Sequence, residues 1–185
     1  MKKSFLFYFC VIFFLLIFNA KSEQVYRNND FQFRIVYPDN WTSVLPKGEN
    51  IKILISSPVK TTSCSVLSIE NPESVKAVNQ EELDTMWAEL GVDKTFWFDA
   101  LTEKFADPEI LDYGRTYLDN RPAIYVKANL SYSALGITIR GTLYQVLLMR
   151  RNFRYALTCM SPVEDYADYE LDLIKIISSF VLEDY

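Results

Sequence analysis

The protein has 185 residues and a formal net charge of −5, and it contains no histidine. Half of its residues are hydrophobic and 23% are charged, a composition that is typical of a globular chain and excludes a disordered or fibrous one. The lack of histidine excludes Ser-His-Asp and Cys-His catalysis, HExxH zinc sites and haem held by a proximal histidine. Because the chain is acidic, it is also a poor candidate for binding nucleic acid or anionic membrane surfaces.

Residues 1–22 have the pattern of an export signal. Two lysines precede an uncharged run over residues 5–18, and the small residues Ala20 and Ser22 suit a signal-peptidase site. This run of 14 residues, at about 1.5 Å each, is shorter than the about 30 Å hydrocarbon core of a bilayer, so an uncleaved anchor is the weaker interpretation. We expect cleavage near Ser22, a periplasmic or secreted protein without a stable membrane anchor, and one globular domain over residues 23–185.

Three cysteines are present, and Cys10 lies within the predicted signal. Cys64 and Cys159 remain, and in an oxidising compartment a disulfide between them is the natural inference. The alternative is two separately buried thiols, because the sequence does not show whether their Cα atoms lie within bonding distance. The sequence also lacks the alternating acidic residues and glycine of a calcium loop, so we expect no metal site and no cofactor.

The first half of the mature part predicts three strands followed by one or two helices. Apolar and polar residues alternate over 31–37, and further strands are predicted at 51–56 and 63–69. A capping box and apolar residues at helical spacing predict a helix over 79–90. Residues 93–105 are a weaker candidate, either a second helix or a packed loop.

The second half predicts four strands and a closing helix. A hairpin is predicted from strands 110–118 and 122–132, followed by strand 137–149 and by a strand from Phe153 that directs Cys159 toward the core. The sequence 161–164 has the pattern of a helix N-terminus with an N-cap serine and a proline at N1. The apolar stripe predicted for this helix consists of Tyr166, Tyr169, Leu173, Ile177 and Phe180.

This element order lacks the alternating strand and helix units that a parallel sheet requires. It predicts an α+β fold with an antiparallel sheet of about six to seven strands. No internal repeat or linker divides the chain into further domains.

The sequence from Phe33 to Trp41 is an aromatic strand that ends in Tyr-Pro-x-x-Trp close to the mature N-terminus. With the Arg-Pro-Ala sequence at 121–123, the Tyr-Ala-Leu-Thr-Cys sequence at 155–159 and the Ile-Ser-Ser-Phe sequence at 177–180, it resembles the superfamily that contains PsbP and DcrB. The resemblance implies an α-β-α sandwich, with an antiparallel sheet flanked by helices on both faces. It also implies an accessory, chaperone or adaptor protein without shared catalytic residues. Likeness of fold alone is a weak argument for function.

Three adjacent aromatic residues, Phe96, Trp97 and Phe98, are the first candidate binding surface. Three neighbouring rings on a weak helix cannot all point inward, so we expect one or two of them to line a groove for a partner or an apolar ligand. Trp41 and Trp87 are interpreted instead as parts of the core.

Arginines near the turn between the last two strands form the second candidate surface, and they are the only local basic excess in an acidic chain. They are Arg140, Arg150, Arg151 and Arg154. The simpler interpretation is a solvated hairpin end that prevents unwanted strand pairing. The functional alternative is a docking patch for an acidic partner or a lipid headgroup, formed chiefly by Arg150, Arg151 and Arg154.

The leading expectation is an exported, non-catalytic accessory or adaptor domain that binds a protein in the cell envelope. The alternative is a carrier of a small apolar ligand or lipid, and a more remote one is an envelope hydrolase that uses carboxylates or a Ser-Lys pair. No residue is predicted to be catalytic or to bind a metal, and no nucleic-acid partner is expected.

Overall fold

The computed structural model describes residues 22–47, 50–134 and 137–183. The predicted export signal lies outside these ranges, apart from Ser22. The strands are β1 (Glu23–Asn28), β2 (Phe33–Pro38), β3 (Thr42–Val44), β4 (Ile51–Ser56), β5 (Ser63–Glu70), β6 (Ala106–Leu118), β7 (Arg121–Ala134), β8 (Ile137–Met149), β9 (Phe153–Pro162) and β10 (Val181–Leu182). The helices are α1 (Glu73–Lys76), α2 (Gln80–Glu89), α3 (Lys94–Thr102) and α4 (Tyr166–Ser178). Among the described residues, no helix is long and apolar enough to cross a membrane.

The strands form two antiparallel sheets. The large sheet has seven strands in the order β3-β4-β5-β9-β8-β7-β6, and the small sheet has the order β1-β2-β10. The predicted α+β class and strand number are confirmed. The first predicted strand, however, pairs with β1 and β10 in the small sheet and does not join the large one.

Two cores lie on opposite faces of the large sheet. The first core lies between the large sheet and a layer formed by α4 and the small sheet. The second lies between strands β6 to β8 and helices α2 and α3. The predicted helices on both faces are therefore confirmed.

Strand β2 contributes to the first core through the alternation of apolar and polar residues that is visible in its sequence. Phe33, Ile35 and Tyr37 are buried on one face of β2, as a period of two requires. The Phe33 ring stacks on Phe180, with 5.3 Å between the centroids, and meets the Tyr155 ring edge-on at 6.2 Å. Each buried aromatic side chain contributes about 1.5–3 kcal/mol by leaving water, so β2 holds the small sheet on the core.

Trp41 closes one end of the first core. Its backbone N–H donates to the carbonyl oxygen of Pro38 at 3.0 Å, which turns the chain directly after β2. The ring is buried and lies edge-on to Tyr169 at 5.9 Å between centroids. The interpretation of Trp41 as a core residue is confirmed.

Both middle helices begin at the residues that the sequence indicates. Asn79 Oδ1 accepts a hydrogen bond from the N–H of Glu82 at 2.8 Å, and Asp93 Oδ1 accepts one from the N–H of Phe96 at 2.8 Å. Each bond satisfies a backbone donor that the first turn of a helix leaves unpaired. The weaker candidate over 93–105 is therefore a helix, although it ends earlier, at Thr102.

The predicted N-terminus of the closing helix at 161–164 is wrong. Strand β9 continues to Pro162, and α4 begins at Tyr166 after Asp165, whose side chain makes no capping bond. Ser161 is buried, and its hydroxyl lies 2.7 Å from the hydroxyl of Thr62 in a hydrogen bond. This long-range partner keeps Ser161 in the strand.

Strand β6 is longer than predicted, because it begins at Ala106 and includes Pro108. It is an edge strand of the large sheet, where proline is tolerated because one side of the strand has no partner. The short elements β1, β3, β10 and α1 were not predicted.

The two cysteines of the described chain, Cys64 and Cys159, are joined by a disulfide bond. Cys64 on β5 and Cys159 on β9 lie directly opposite each other in the ladder, with 4.0 Å between their Cα atoms. Both are buried in the first core. The inferred pairing is confirmed.

We expect the unfolded but unreduced mature protein to resist alkylation at Cys64 and Cys159, and the reduced protein to take up two labels. Replacing both cysteines by alanine is expected to lower the free energy of unfolding by about 2–5 kcal/mol, because the unfolded chain gains freedom. Mass spectrometry after alkylation in urea and denaturant titration of the variant test these statements. Labelling of both thiols without reductant would contradict the pairing.

Trp97 lies in the second core with 1% of its surface exposed, whereas its neighbour Phe98 is 43% exposed. Trp97→Ala is expected to cost about 3–5 kcal/mol of stability, since it leaves a large cavity. Phe98→Ala is the matched control on the same helix and is expected to change stability by no more than about 0.5 kcal/mol. Urea unfolding of both variants measures the difference, and equal stability of the two would place the Trp97 ring outside the core.

Candidate functional site

The aromatic run on α3 divides between the core and the surface. Trp97 packs against the second core with Leu101, so it is not available as a surface contact, and its inclusion in a binding surface is corrected. Phe96 and Phe98 remain at the surface, with the Phe96 ring edge-on to Trp97 at 5.2 Å. A helix of this length directs only one side toward the sheet, which explains the division. A binding role for Phe96 and Phe98 stays a prediction.

The arginines near the β8–β9 turn do not form one patch. Arg140 lies opposite Ser131, ten residues from Arg150 along an extended chain, which is a distance of about 33 Å. The backbone N–H of Arg151 donates to Gln80 Oε1 at 2.8 Å, and its guanidinium donates to the carbonyl oxygen of Lys76. The turn is thus fastened to the chain segment that carries α1 and α2.

Arg154 is exposed and lines a cleft of about 570 Å³ together with Glu70, Glu73 and Lys76. The Lys76 ammonium pairs with the carboxylates of Glu70 and Glu73, and hydrogen bonds to these two groups raise the pKa of Lys76. Glu70 and Glu73 are thus paired with Lys76, and a basic excess remains at the turn. A docking role for Arg150, Arg151 and Arg154 stays a prediction.

The structure reveals a different surface, on the side of the large sheet that faces away from the first core. Helices α2 and α3 cover this side over β6, β7 and β8. The outward residues of β7 are buried, whereas those of β4, β5 and β9 are only half-buried or exposed. We call the uncovered part the open face. Its residues are Val44, Ile51, Leu54, Ser63, Ser65, Leu67, Ile69, Gln145, Ala156 and Thr158.

Cross-strand register places these side chains in rows. In one row Leu54 lies opposite Ser65, Ser65 opposite Thr158, and Thr158 opposite Gln145. Gln145 Nε2 donates to Thr158 Oγ1 at 2.8 Å, which holds both polar side chains flat on the sheet. In antiparallel sheets such opposite side chains lie close together on one face, so the rows form a continuous surface.

No residue of the open face carries a charge, although 23% of the residues in the chain do. Val44 and Ile51 at its β3–β4 margin are 56% and 38% exposed. Arg154 lies on the same side of the sheet, two residues before Ala156 on β9 and opposite Ile69. It places a positive charge at the other margin of the open face. The face is therefore an uncharged, mixed aliphatic and hydroxyl surface with a charged residue at its end.

The open face was not predicted from the sequence, although a signal for it is present there. In β5, the outward positions Ser63, Ser65, Leu67 and Ile69 alternate with buried ones, and none of them is charged. Outward positions of a solvent-facing strand ordinarily carry polar and charged side chains. The described residues contain no group of three or more side chains that could hold a metal ion.

No protein-family model and no curated protein matches the sequence. Solved structures do match the fold. The chain is similar to cyanobacterial PsbP from Synechocystis, with a TM-score of 0.57, 11% identity and coverage of 89% of this chain and 95% of that one. It is similar to LpqN, described as involved in cell envelope biogenesis of Mycobacterium tuberculosis, with a TM-score of 0.52, 12% identity and coverage of 90% and 93%.

A point mutant of the protein Mog1 also matches, with a TM-score of 0.53, 11% identity and coverage of 88% of this chain and 97% of that one. Similarity at these identities concerns the fold, and it extends over most of each chain. The sandwich that the sequence resemblance implied is confirmed: the chain has the PsbP-like fold.

Proposed function

We propose that the protein is an exported, non-catalytic accessory domain that binds another protein of the cell envelope through its open face. The fold supports this proposal, because it is shared with LpqN, a protein involved in cell envelope biogenesis. Fold similarity alone leaves function open, and the surface of this chain supplies the further support.

Export is supported by two independent features. Residues 1–22 have the sequence pattern of a signal peptide. The disulfide between Cys64 and Cys159 fits an extracytoplasmic protein, because such bonds persist mainly in oxidising compartments. We propose a periplasmic or secreted mature chain that begins after cleavage near Ser22.

The open face is the observation that carries the proposal. The cores of protein interfaces are depleted in charged residues, and the open face shares this property. Phosphate groups of nucleic acids or lipids would find no cation within it to pair with. A charged group of a partner would lose its hydration there without compensation. The partner we propose is therefore a protein that presents an uncharged, aliphatic and hydroxyl-bearing surface.

The same apolar surface continues around the edge of the sheet. Strand β3 has only three residues, and Leu45 directly after it is 66% exposed, more than Val44 within it. Because β3 is an edge strand, one side of its backbone lacks a partner strand. A partner that covers Leu67 and Leu54 can thus extend its contact over β3 as well.

The carrier and hydrolase alternatives have less support. A cleft of about 550 Å³ lies between the small sheet and the end of α4, but charged residues contribute to its lining beside apolar ones. They are Glu23, Arg34, Asp172 and Lys175. Sites for apolar ligands are lined predominantly by hydrophobic and aromatic side chains.

A photo-crosslinking amino acid at Leu67, introduced in cells, tests the proposal. We expect one discrete adduct with a second envelope protein, and no such adduct from the same amino acid at Tyr113, an outward residue on the far strand β6. Adding Ser65→Lys should abolish the adduct by placing a charge in the contact, whereas Ser65→Thr, which keeps the hydroxyl, should preserve it.

Urea unfolding of the Ser65 variants shows whether they remain folded. Equal adducts from Leu67 and Tyr113, or an adduct that persists in the folded Ser65→Lys variant, would refute the open face as the binding surface. An adduct at twice the mass of the mature chain would show that the face binds a second copy and would replace the proposal of a separate partner.

A further inference from the structure

A groove lies on the opposite side of the large sheet from the open face, between α4 and strands β6 to β8. It consists of two adjoining cavities of about 460 and 200 Å³. Both are lined by Thr116, Tyr144 and Ile174, so they form one continuous depression. The larger cavity falls within the range of about 300–1,000 Å³ that is usual for small-molecule sites.

Three tyrosines line the larger cavity. The rings of Tyr125 and Tyr144 lie 6.1 Å apart, and the Tyr125 hydroxyl donates to Asp112 Oδ2 at 3.1 Å. The hydroxyls of Tyr144 and Tyr166 make no hydrogen bond to any described residue. Burial raises the pKa of Tyr144, and it raises the pKa of Tyr166 to about 12. Both phenols therefore remain neutral near pH 7 and are able to donate and accept hydrogen bonds.

The ionised groups of the groove are already paired. Lys127 Nζ lies 2.7 Å from Glu170 Oε1 and 4.3 Å from the centroid of the Tyr166 ring. Asp112 accepts the hydrogen bond from Tyr125. The guanidinium of Arg115 is not part of the groove, because Arg115 lies opposite Ile124 on the other face of the sheet and donates to the carbonyl oxygen of Leu90 at 2.7 Å. An ionic ligand would have to displace one of the contacts within the groove, which favours an uncharged ligand.

Irregular features of β6 shape this groove. A register shift between Ile110 and Asp112 places Asp112 opposite Lys127. Gly114 lies opposite Tyr125, and a Cβ atom at Gly114 would come within 3.3 Å of Tyr125 Cε1. This is a tight contact, so the absence of a side chain leaves room for the ring. Bulges of this kind redirect side chains at functional positions of edge strands.

We propose that the groove binds a neutral saccharide. A sugar ring has C–H faces that pack on aromatic rings and hydroxyl groups that both donate and accept hydrogen bonds. The groove offers tyrosine rings for the first, and for the second it offers the hydroxyls of Tyr144 and Tyr166 together with the carboxylates of Asp112 and Glu170, each of which can accept a further hydrogen bond beside the one it already has. This site is separate from the open face, and the proposal does not depend on a protein partner.

The test is a titration of the processed chain with three neutral disaccharides, cellobiose, maltose and diacetylchitobiose, followed by saturation-transfer NMR and calorimetry. Citrate and putrescine serve as anionic and cationic probes. We expect saturable binding of at least one disaccharide and none of the ionic probes. Titration with soluble dextran and with chitin oligomers that contain no chitosan then shows whether the site binds a sugar within a longer chain or only a free disaccharide.

Tyr144→Phe removes one unpartnered hydroxyl and keeps the ring, so it should weaken saccharide binding about three- to tenfold. Tyr113→Phe, on the opposite side of the sheet, is the matched control and should bind like the unaltered protein. Gly114→Ala should also weaken binding by displacing the Tyr125 ring. The proposal is wrong if none of the disaccharides binds, if putrescine or citrate binds in their place, or if the two phenylalanine variants bind equally.

Discussion

The pairing of β5 with β9 is the interaction on which the rest of the structure depends. Eight consecutive residue pairs join these strands, from Ser63 opposite Met160 to Glu70 opposite Phe153. On one side of this ladder lie β3 and β4, and on the other lie β8, β7 and β6. Without it the large sheet would separate into antiparallel sheets of three and four strands, and the first core, which packs on both, would be divided. The disulfide between Cys64 and Cys159 fixes the register of this strand pair. If one strand shifted by one residue, the two cysteines would lie on opposite faces of the sheet and could not be bonded.

The same pairing explains why the two faces of the sheet are covered unequally. The chain leaves β5 near the middle of the sheet and must reach β6 at the far edge, so the connection crosses β9, β8 and β7. Helices α2 and α3 of this connection pack on β6, β7 and β8, and they leave β4 and β5 uncovered. On the other face, the connection from β9 to β10 carries α4 across the first core. The open face is thus the area that the first crossing does not reach, and the tyrosine-lined groove lies along the second, between α4 and strands β6 to β8.

Much of this architecture follows from local sequence. Alternation in β2, β7 and β9 identifies their buried faces, and the side chains of Asn79 and Asp93 mark helix starts because their hydrogen-bond partners are only three residues away. Even the disulfide was predictable, since only two cysteines lie outside the predicted signal. Each of these inferences requires only residues that are close together in the sequence, or the number of cysteines in the chain.

Features that depend on distant residues were not predictable in the same way. Ser161 has the local pattern of an N-cap, but Thr62, 99 residues earlier, holds its hydroxyl within a strand. The burial of Trp97 depends on which side of α3 meets β6, and this is settled by tertiary packing. Likewise the open face combines side chains from β4, β5 and β9, so its lack of charge becomes visible only when the register is known. Strands as short as β3 and β10 contain too few residues to show any alternation.

The disulfide also determines how the molecule would respond to mechanical load. It joins residues 95 positions apart, and helices α1 to α3 and strands β6 to β8 lie inside the loop that it closes. If the chain were pulled from its two ends, tension would pass through the Cys64–Cys159 bond and bypass this loop. The end-to-end length of the stretched chain would therefore be shorter by about 310–340 Å, the extended length of the loop. Force would unfold the small sheet, β3, β4 and α4. The segment within the disulfide loop, which includes the groove strands β6 to β8, would carry no tension.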